Sequence, residues 1–327
     1  MEKLTMLDYV KETPGVLRTN IEQYTTLVDP LMKEVQQKEI KRILLVASGS
    51  SHNACYCARS FVEKVSGLEV RIITPYTFTY YENDIKETDL VLVVTQSGLS
   101  TNAIEALKII KKKECKAICL TGNKNSDVKD VADVVIEYGV GEELVGYVTK
   151  GVSSLALFLD LFAIAYSGKT EYLEELKKAV HLNEEMIDQA TNFIQRHYKN
   201  FTSMSWVYSC GAGANYGTAL ESALKMGETI HIPSCCYEIE EYIHGPNLQL
   251  TPQYNVIFFD GNDGASRRVE QVYKATRKVS NRAYLISNNP SRTTSQTVGC
   301  GKTSFFARSI STFISIRFDT ATIYSDA

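Results

Sequence analysis

The sequence predicts an α/β protein of two αβα units, each a parallel sheet covered by helices on both faces, related by internal duplication. Three observations predict it. Short, wholly apolar runs alternate with helical segments through the first third of the chain. The same rhythm restarts near Trp206. The segments "LLVASGSSHNACYCA" and "VYSCGAGANYGTALE" then share one layout of strand, small-residue turn and helix. All-apolar strands alternating with helices mark a sheet buried on both faces. A repeated layout marks a duplicated unit.

The elements follow in order. "RILLVA" (Arg42–Ala47) is a continuous apolar strand, and "SGSSHNACYCARSFVEKV" opens on Gly and Ser and continues as a helix. "EVRIIT" is the second strand and "DLVLVVT" (Asp89–Thr95) the third. After it, "QSGLSTNAIEALKIIKKK" is a polar turn feeding an amphipathic helix. "KAICLT" and "ADVVIEY" complete the first set. A long helical section runs from Ser153 to about Tyr198. Its apolar stretch "SSLALFLDLFAIAYSG" is interrupted by Asp160 and reads as a buried helix rather than a membrane span. "WVYSC", "GAGANYGTALESALKMGETI", "NVIFFD", "ASRRVEQVYKATRKV" and "RAYLIS" then repeat the strand–helix alternation. We therefore expect a first domain over residues 1–170, with an N-terminal helical segment, and a second over 171–327. From about Ser291 the tail is atypical: it has no Glu, its only Asp residues are Asp319 and Asp326, and Ser and Thr supply 14 of its 37 residues. The alternation in "FISIRF" favours a strand there.

Composition excludes several functions. With 35 basic and 38 acidic residues the net charge is -3, which gives no field for nucleic acid or an anionic membrane. The N-terminus "MEKLTMLDYVKETPG" has no apolar signal core, so a cytoplasmic protein is expected. Among eight cysteines, Cys55 and Cys57 lie two apart and Cys235 and Cys236 are adjacent, with no C-x-x-C pair. That spacing fits neither a zinc module nor a disulfide framework. Free thiols in a reducing compartment, with no metal and no cofactor, are expected.

Three places could carry chemistry. In "SGSSHN" (Ser48–Asn53) a strand delivers the chain to small hydroxyl residues at a helix N-terminus. Free N–H groups and the helix dipole favour an anion there, although ordinary N-capping by Ser50 or Ser51 would use the same residues. "TQSGLST" repeats that chemistry after the third strand: Thr95, Gln96, Ser97 and Ser100 carry donors and Gly98 lets backbone approach a ligand. Ends of parallel strands are where such sheets bind ligands. Neither turn contains a lysine, so donors rather than a cation would hold a phosphate. Third, Glu221, Lys225 and Glu228 share one helix face. A solvated ion-pair stripe is the ordinary meaning of such spacing. The helix, however, follows a Gly-rich turn at a strand end, and Glu228 lies near its C-terminus, a poor place for an anion. His244 then stands before Gly245 and Pro246 in a rigid corner with no evident core role.

The segments "ASGSSHNA", "TQSGLSTNAIEAL", "GEELVGYVTK", "ALESALKMGE" and "EEYIHGP" resemble the SIS (sugar isomerase) family over about residues 7 to 290. The likeness is to the double-SIS isomerase half of glutamine–fructose-6-phosphate aminotransferases, whose stand-alone relatives include fructosamine-6-phosphate deglycases and glucosamine-6-phosphate deaminases. It implies two SIS-type units of the flavodoxin-like three-layer kind. It implies that Gly49, Ser50 and Ser51 form the first phosphate-contacting turn, and Thr95, Gln96, Ser97 and Ser100 the second. Glu228 would be the base that moves a proton between C1 and C2, with Lys225 its basic neighbour and Glu221 an acidic one. His244 would assist ring opening, reaching the neighbouring subunit's site in a homodimer. The implied substrate is an amino-sugar or fructosamine 6-phosphate, in a deglycase or deaminase–isomerase reaction. A plain aldose–ketose phosphate isomerase and a non-catalytic phosphosugar sensor are the alternatives.

Departures from the pattern bear on that expectation. Leu99 replaces a commonly acidic residue of the second turn. Val148 stands where the aminotransferase, a glucosamine-6-phosphate synthase, has a serine contacting the sugar. The synthase's Schiff-base lysine has no counterpart, the last lysine being Lys302 in the atypical tail. Met1 is followed by Glu2 rather than a nucleophilic Cys, so no glutaminase half is expected.

Overall fold

The computed structural model describes residues 4–287 and 297–299. The chain opens with helices α1 (Met6–Glu22) and α2 (Tyr24–Val35). Then come β1 (Arg42–Ala47), α3 (Gly49–Ser66), β2 (Glu69–Ile73), α4 (Pro75–Tyr80), β3 (Asp89–Thr95), α5 (Thr101–Lys112), β4 (Ile118–Thr121) and β5 (Val134–Glu137). Helices α6 (Lys150–Ser167), α7 (Tyr172–Arg196) and α8 (Tyr198–Thr202) follow. The second series is β6 (Val207–Gly211), α9 (Ala214–Lys225), β7 (Ser234–Glu238), α10 (Ile239–Ile243), β8 (Asn255–Asp260), α11 (Ser266–Arg277), β9 (Ala283–Ser287) and β10 (Thr297–Gly299). Two compact units result: Gly15–Leu173, and Glu174–Ala327 with Met1–Pro14.

The Gly15–Leu173 unit holds a five-stranded sheet in the order β2-β1-β3-β4-β5. All its pairings are parallel. Arg42 and Asp89 face each other at the first rung of the β1–β3 ladder and form a two-pronged ion pair, Nε to Oδ1 at 3.0 Å and Nη2 to Oδ2 at 2.7 Å. The apolar rungs Leu44, Val46, Val91 and Val93 pack against α5. That helix offers Ala103, Ala106, Leu107 and Ile110, one stripe of a 3.6-residue period. Helix α6 is apolar all round and packs on α3 and α2. It is long and apolar enough to cross a membrane, yet 83% of it is buried inside the fold, which makes it the core helix that its sequence predicts.

The other unit has the same strand order, β7-β6-β8-β9-β10, again all parallel. Read from the second strand of each set, both sheets run 2-1-3-4-5, the flavodoxin-like order. Strand β8 shows why "NVIFFD" is apolar throughout. Ile257 and Phe259 join a cluster with Phe193, Phe201 and Tyr284, while Val256 and Phe258 join another with Tyr242 and Val269. Two strands went unread in the sequence. Strand β7, "SCCYE", is a half-buried edge strand without an apolar run. Strand β10 brings Thr297–Gly299 of the tail into the sheet, paired with β9 in the register Thr297 to Leu285. The "FISIRF" strand expectation lies outside the described residues.

Candidate active site

The first candidate region is the pair of turns at the C-terminal ends of β1 and β3. Helix α3 begins at Gly49, with Ser48 as its N-cap in extended conformation. Ser48 makes no side-chain capping bond, so the first turn of α3 is left to other acceptors. The expected alternative, capping by Ser50 or Ser51, is thereby corrected: both lie inside the first helical turn and are buried. Gly49 sits at φ 55°, a left-handed conformation that favours glycine. His52 follows in the same turn, and burial holds its imidazole below the ordinary histidine range, so it brings no cation at neutral pH.

The β3–α5 turn is built the same way. Thr95 ends the strand and is buried, Ser97 is exposed, and Ser100 is the N-cap of α5 without a side-chain capping bond. Instead Ser100 Oγ donates to Asn102 Oδ1 at 2.5 Å, and Asn102 Nδ2 donates to Ser48 Oγ at 3.3 Å. Asn102 thus ties one turn to the other, and two uncapped helix N-termini share one end of the sheet. Two positive dipole ends with backbone N–H groups and hydroxyls can hold an anion without lysine or arginine in either turn. Gly98 is required here: its φ is +68°, and a Cβ would lie 1.7 Å from Ser126 Oγ.

Sequence reasoning missed Glu143. Its Oε1 accepts the N–H groups of Thr149 at 2.6 Å and Lys150 at 2.8 Å, and its Oε2 accepts Gly151 N–H at 3.2 Å. Gln96 Nε2 donates to the same Oε2 at 2.5 Å. The N-terminus of α6 is therefore filled by the protein's own carboxylate, unlike those of α3 and α5.

The second candidate region lies in the other unit. The Glu221–Lys225–Glu228 ladder forms as the spacing predicts. Lys225 Nζ lies 3.2 Å from Glu221 Oε1 and 2.5 Å from Glu228 Oε2. It is not the solvated stripe that such spacing ordinarily means, because Glu221 is 4% exposed and Lys225 5%. Glu228 is the outward member, its side chain 34% exposed. It sits in a single π-helical turn, Met226–Ile230, that follows α9. Such turns widen a helix locally and re-aim its side chains, and they recur at functional sites. The Lys225 ammonium offsets the unfavourable placing of an anion at a helix C-terminal end. His244 caps the C-terminus of α10 and is exposed. Its Nδ1 lies 2.7 Å from the Glu240 carbonyl, which can only accept, so Nδ1 carries a proton, and in the neutral ring Nε2 is the acceptor. The turn after β8 offers no second anion site: Asp260 accepts Ser287 Oγ at 2.7 Å, Asn262 N–H at 3.0 Å and the Ser266 hydroxyl, so its interior is already acidic and bonded. Lys302 lies outside the described residues.

Residues 38–165 match the SIS domain family. More particularly, the chain is 26% identical over 266 residues to glutamine–fructose-6-phosphate aminotransferase (isomerizing) of Clostridium perfringens, covering 77% of this chain and 44% of that protein. The chain spans less than half the length of such curated relatives. Among solved structures it superposes on the C-terminal domain of glucosamine-fructose-6-phosphate aminotransferase from Francisella tularensis with TM-score 0.85 and 22% identity, covering 96% of this chain and 93% of that one. It superposes on glucosamine-6-phosphate deaminase of Thermotoga maritima with TM-score 0.76 and 21% identity, over 95% and 92%. The fold is therefore that of phosphosugar isomerases, with two SIS-type units.

Proposed function

We propose that the chain acts on an amino-sugar or fructosamine 6-phosphate, moving a proton between C1 and C2 in a deglycase or deaminase–isomerase reaction. The observation that carries this reading is the buried Glu221–Lys225 pair with Glu228 on its outer side, 2.5 Å from the ammonium. A carboxylate held in place by a buried cation, with its other oxygen uncommitted among the described residues, is suited to lift and return one proton. Lys225 can also offset negative charge that develops on the substrate oxygen next to the carbon losing its proton. The uncapped N-termini of α3 and α5 support phosphate binding through Gly49, Ser50, Ser51, Thr95, Ser97 and Ser100. His244, with Nε2 as acceptor, is suited to ring opening, and in this reading it serves the partner's site in a homodimer.

The test follows the hydrogens at C1 and C2 by NMR in deuterated water. Glucosamine 6-phosphate and fructosamine 6-phosphate are each compared with glucose 6-phosphate and fructose 6-phosphate. Turnover of an amino substrate with exchange is expected. Glu228→Gln keeps the shape and removes the base, so exchange should fall by about 10²–10⁴-fold while binding persists. Normal exchange in that variant would assign the proton transfer to another base. Turnover of the plain hexose phosphates alone would make the protein a simple aldose–ketose isomerase, and binding without exchange would make it a sensor.

A further inference from the structure

We propose that Glu143 is a positioning residue that holds the β3–α5 turn in its ligand-binding shape. The inference rests on reading that turn as part of a phosphate site. Four donors converge on one carboxylate: the backbone N–H groups of Thr149, Lys150 and Gly151, and the side-chain amide of Gln96. The first three only cap a helix. The fourth joins that cap to the turn. Gln96 is also fixed through its backbone, since its carbonyl accepts Gly122 N–H at 3.0 Å and Thr121 Oγ1 at 3.2 Å. With both ends held, the residues after it have few conformations left. Ser97 accepts Leu99 N–H at 3.2 Å, and the Gly98 carbonyl accepts Val128 N–H at 3.2 Å.

Gly151 is the second part of the device. A Cβ there would lie 2.2 Å from Gln96 Oε1, so the absence of a side chain leaves room for the Gln96 amide to reach the carboxylate. Glycine near the start of a helix is otherwise unfavourable relative to alanine. Its place here is accounted for by the amide it admits. The consequence for binding is preorganisation. Ligand-free hydroxyls and N–H groups already stand where an anion would meet them, and binding loses less to ordering the loop. Glu143 further occupies the N-terminus of α6, so an incoming phosphate is directed to α3 and α5.

Two variants of the full-length chain test this. Glu143→Gln keeps the shape but cannot accept four donors. Gly151→Ala leaves the carboxylate and the cap in place and displaces only the Gln96 amide. Hydrogen–deuterium exchange is measured on ligand-free protein. The amides of residues 96–100 should exchange about tenfold faster or more in each variant, the factor carried by one hydrogen bond to a charged group. Those of β3 and of the α5 interior should be unchanged. Titration with glucosamine 6-phosphate should then show an affinity loss of about tenfold in both, with KM raised and kcat little altered. If Gly151→Ala leaves the exchange of residues 96–100 unchanged, Glu143 is no more than a helix cap and the inference is overturned. That outcome is decisive even where Glu143→Gln fails to fold. If the turn loosens but the parent protein binds neither glucosamine 6-phosphate nor inorganic phosphate, the positioning stands and the phosphate reading falls.

Discussion

Replacing Lys225 by methionine separates what the buried ladder does for stability from what it does for chemistry. Methionine keeps an unbranched four-atom stem and removes the ammonium. Glu221 then loses the cation 3.2 Å from its Oε1 while remaining 4% exposed. Breaking a buried pair by deleting one partner costs about 3–5 kcal/mol, most of it from stranding the remaining charge. An exposed pair costs about 1 kcal/mol or less. For a unit of this size, 3–5 kcal/mol corresponds to a melting shift of roughly 6–20 °C. The double variant Glu221→Gln/Lys225→Met removes both charges and should recover stability to within about 1 kcal/mol of the parent. Activity should not recover, because Glu228 still lacks the ammonium beside it. Urea unfolding followed by tryptophan fluorescence suits the question: Trp206 is the sole tryptophan and lies just before β6, in the same unit as the ladder. A Lys225→Met protein destabilised by no more than about 1 kcal/mol would show that the pair behaves as a surface pair and refute the reasoning.

Three further outcomes are expected. Ser51→Ala and Ser97→Ala should each weaken binding of a hexose 6-phosphate by about 1–3 kcal/mol in calorimetry, the cost of losing one donor to a charged group; unchanged affinity in both would displace the phosphate from these turns. Asp160 is fully buried in α6, neither carboxylate oxygen has a partner among the described residues, and burial raises its pKa well above the ordinary value. From the ordinary value near 4 upward, the folded chain keeps a proton that the unfolded chain has lost, so this group's contribution to stability falls as pH rises through that window. Asp160→Asn should therefore be more stable than the parent at pH 7, with the difference closing toward pH 4 in denaturant titrations; a difference independent of pH would contradict the assignment. Sedimentation at micromolar concentration should give a homodimer of twice 36.6 kDa, and a fully active monomer would rule out a His244 shared between subunits.

The central strands of both sheets were legible because they are buried on two faces. Burial on two faces demands an unbroken apolar run, and "RILLVA", "DLVLVVT" and "NVIFFD" carry one. Strand β7 has neighbours on one side only, so "SCCYE" needs no such run and left no signal. The ladder was legible for a similar reason. Spacings of three and four place side chains on one helix face wherever the helix lies. What they do not fix is burial, which here separates a buried ion pair from a solvated stripe.

By itself the sequence determined the α/β class, the duplicated layout, the two hydroxyl turns and the order of charges on α9. Those properties follow from local pattern and hold before any long-range contact forms. Only the tertiary structure decided that Ser48 and Ser100 leave their helices uncapped, that Asn102 joins the two turns, and that a π-helical turn aims Glu228. It alone assigned Glu143 a partner. A capping box spans three residues, whereas Glu143 reaches N–H groups six to eight residues ahead and an amide 47 residues behind. Such contacts depend on how loops fold back over the strand ends, a geometry set by packing that no short-range periodicity encodes.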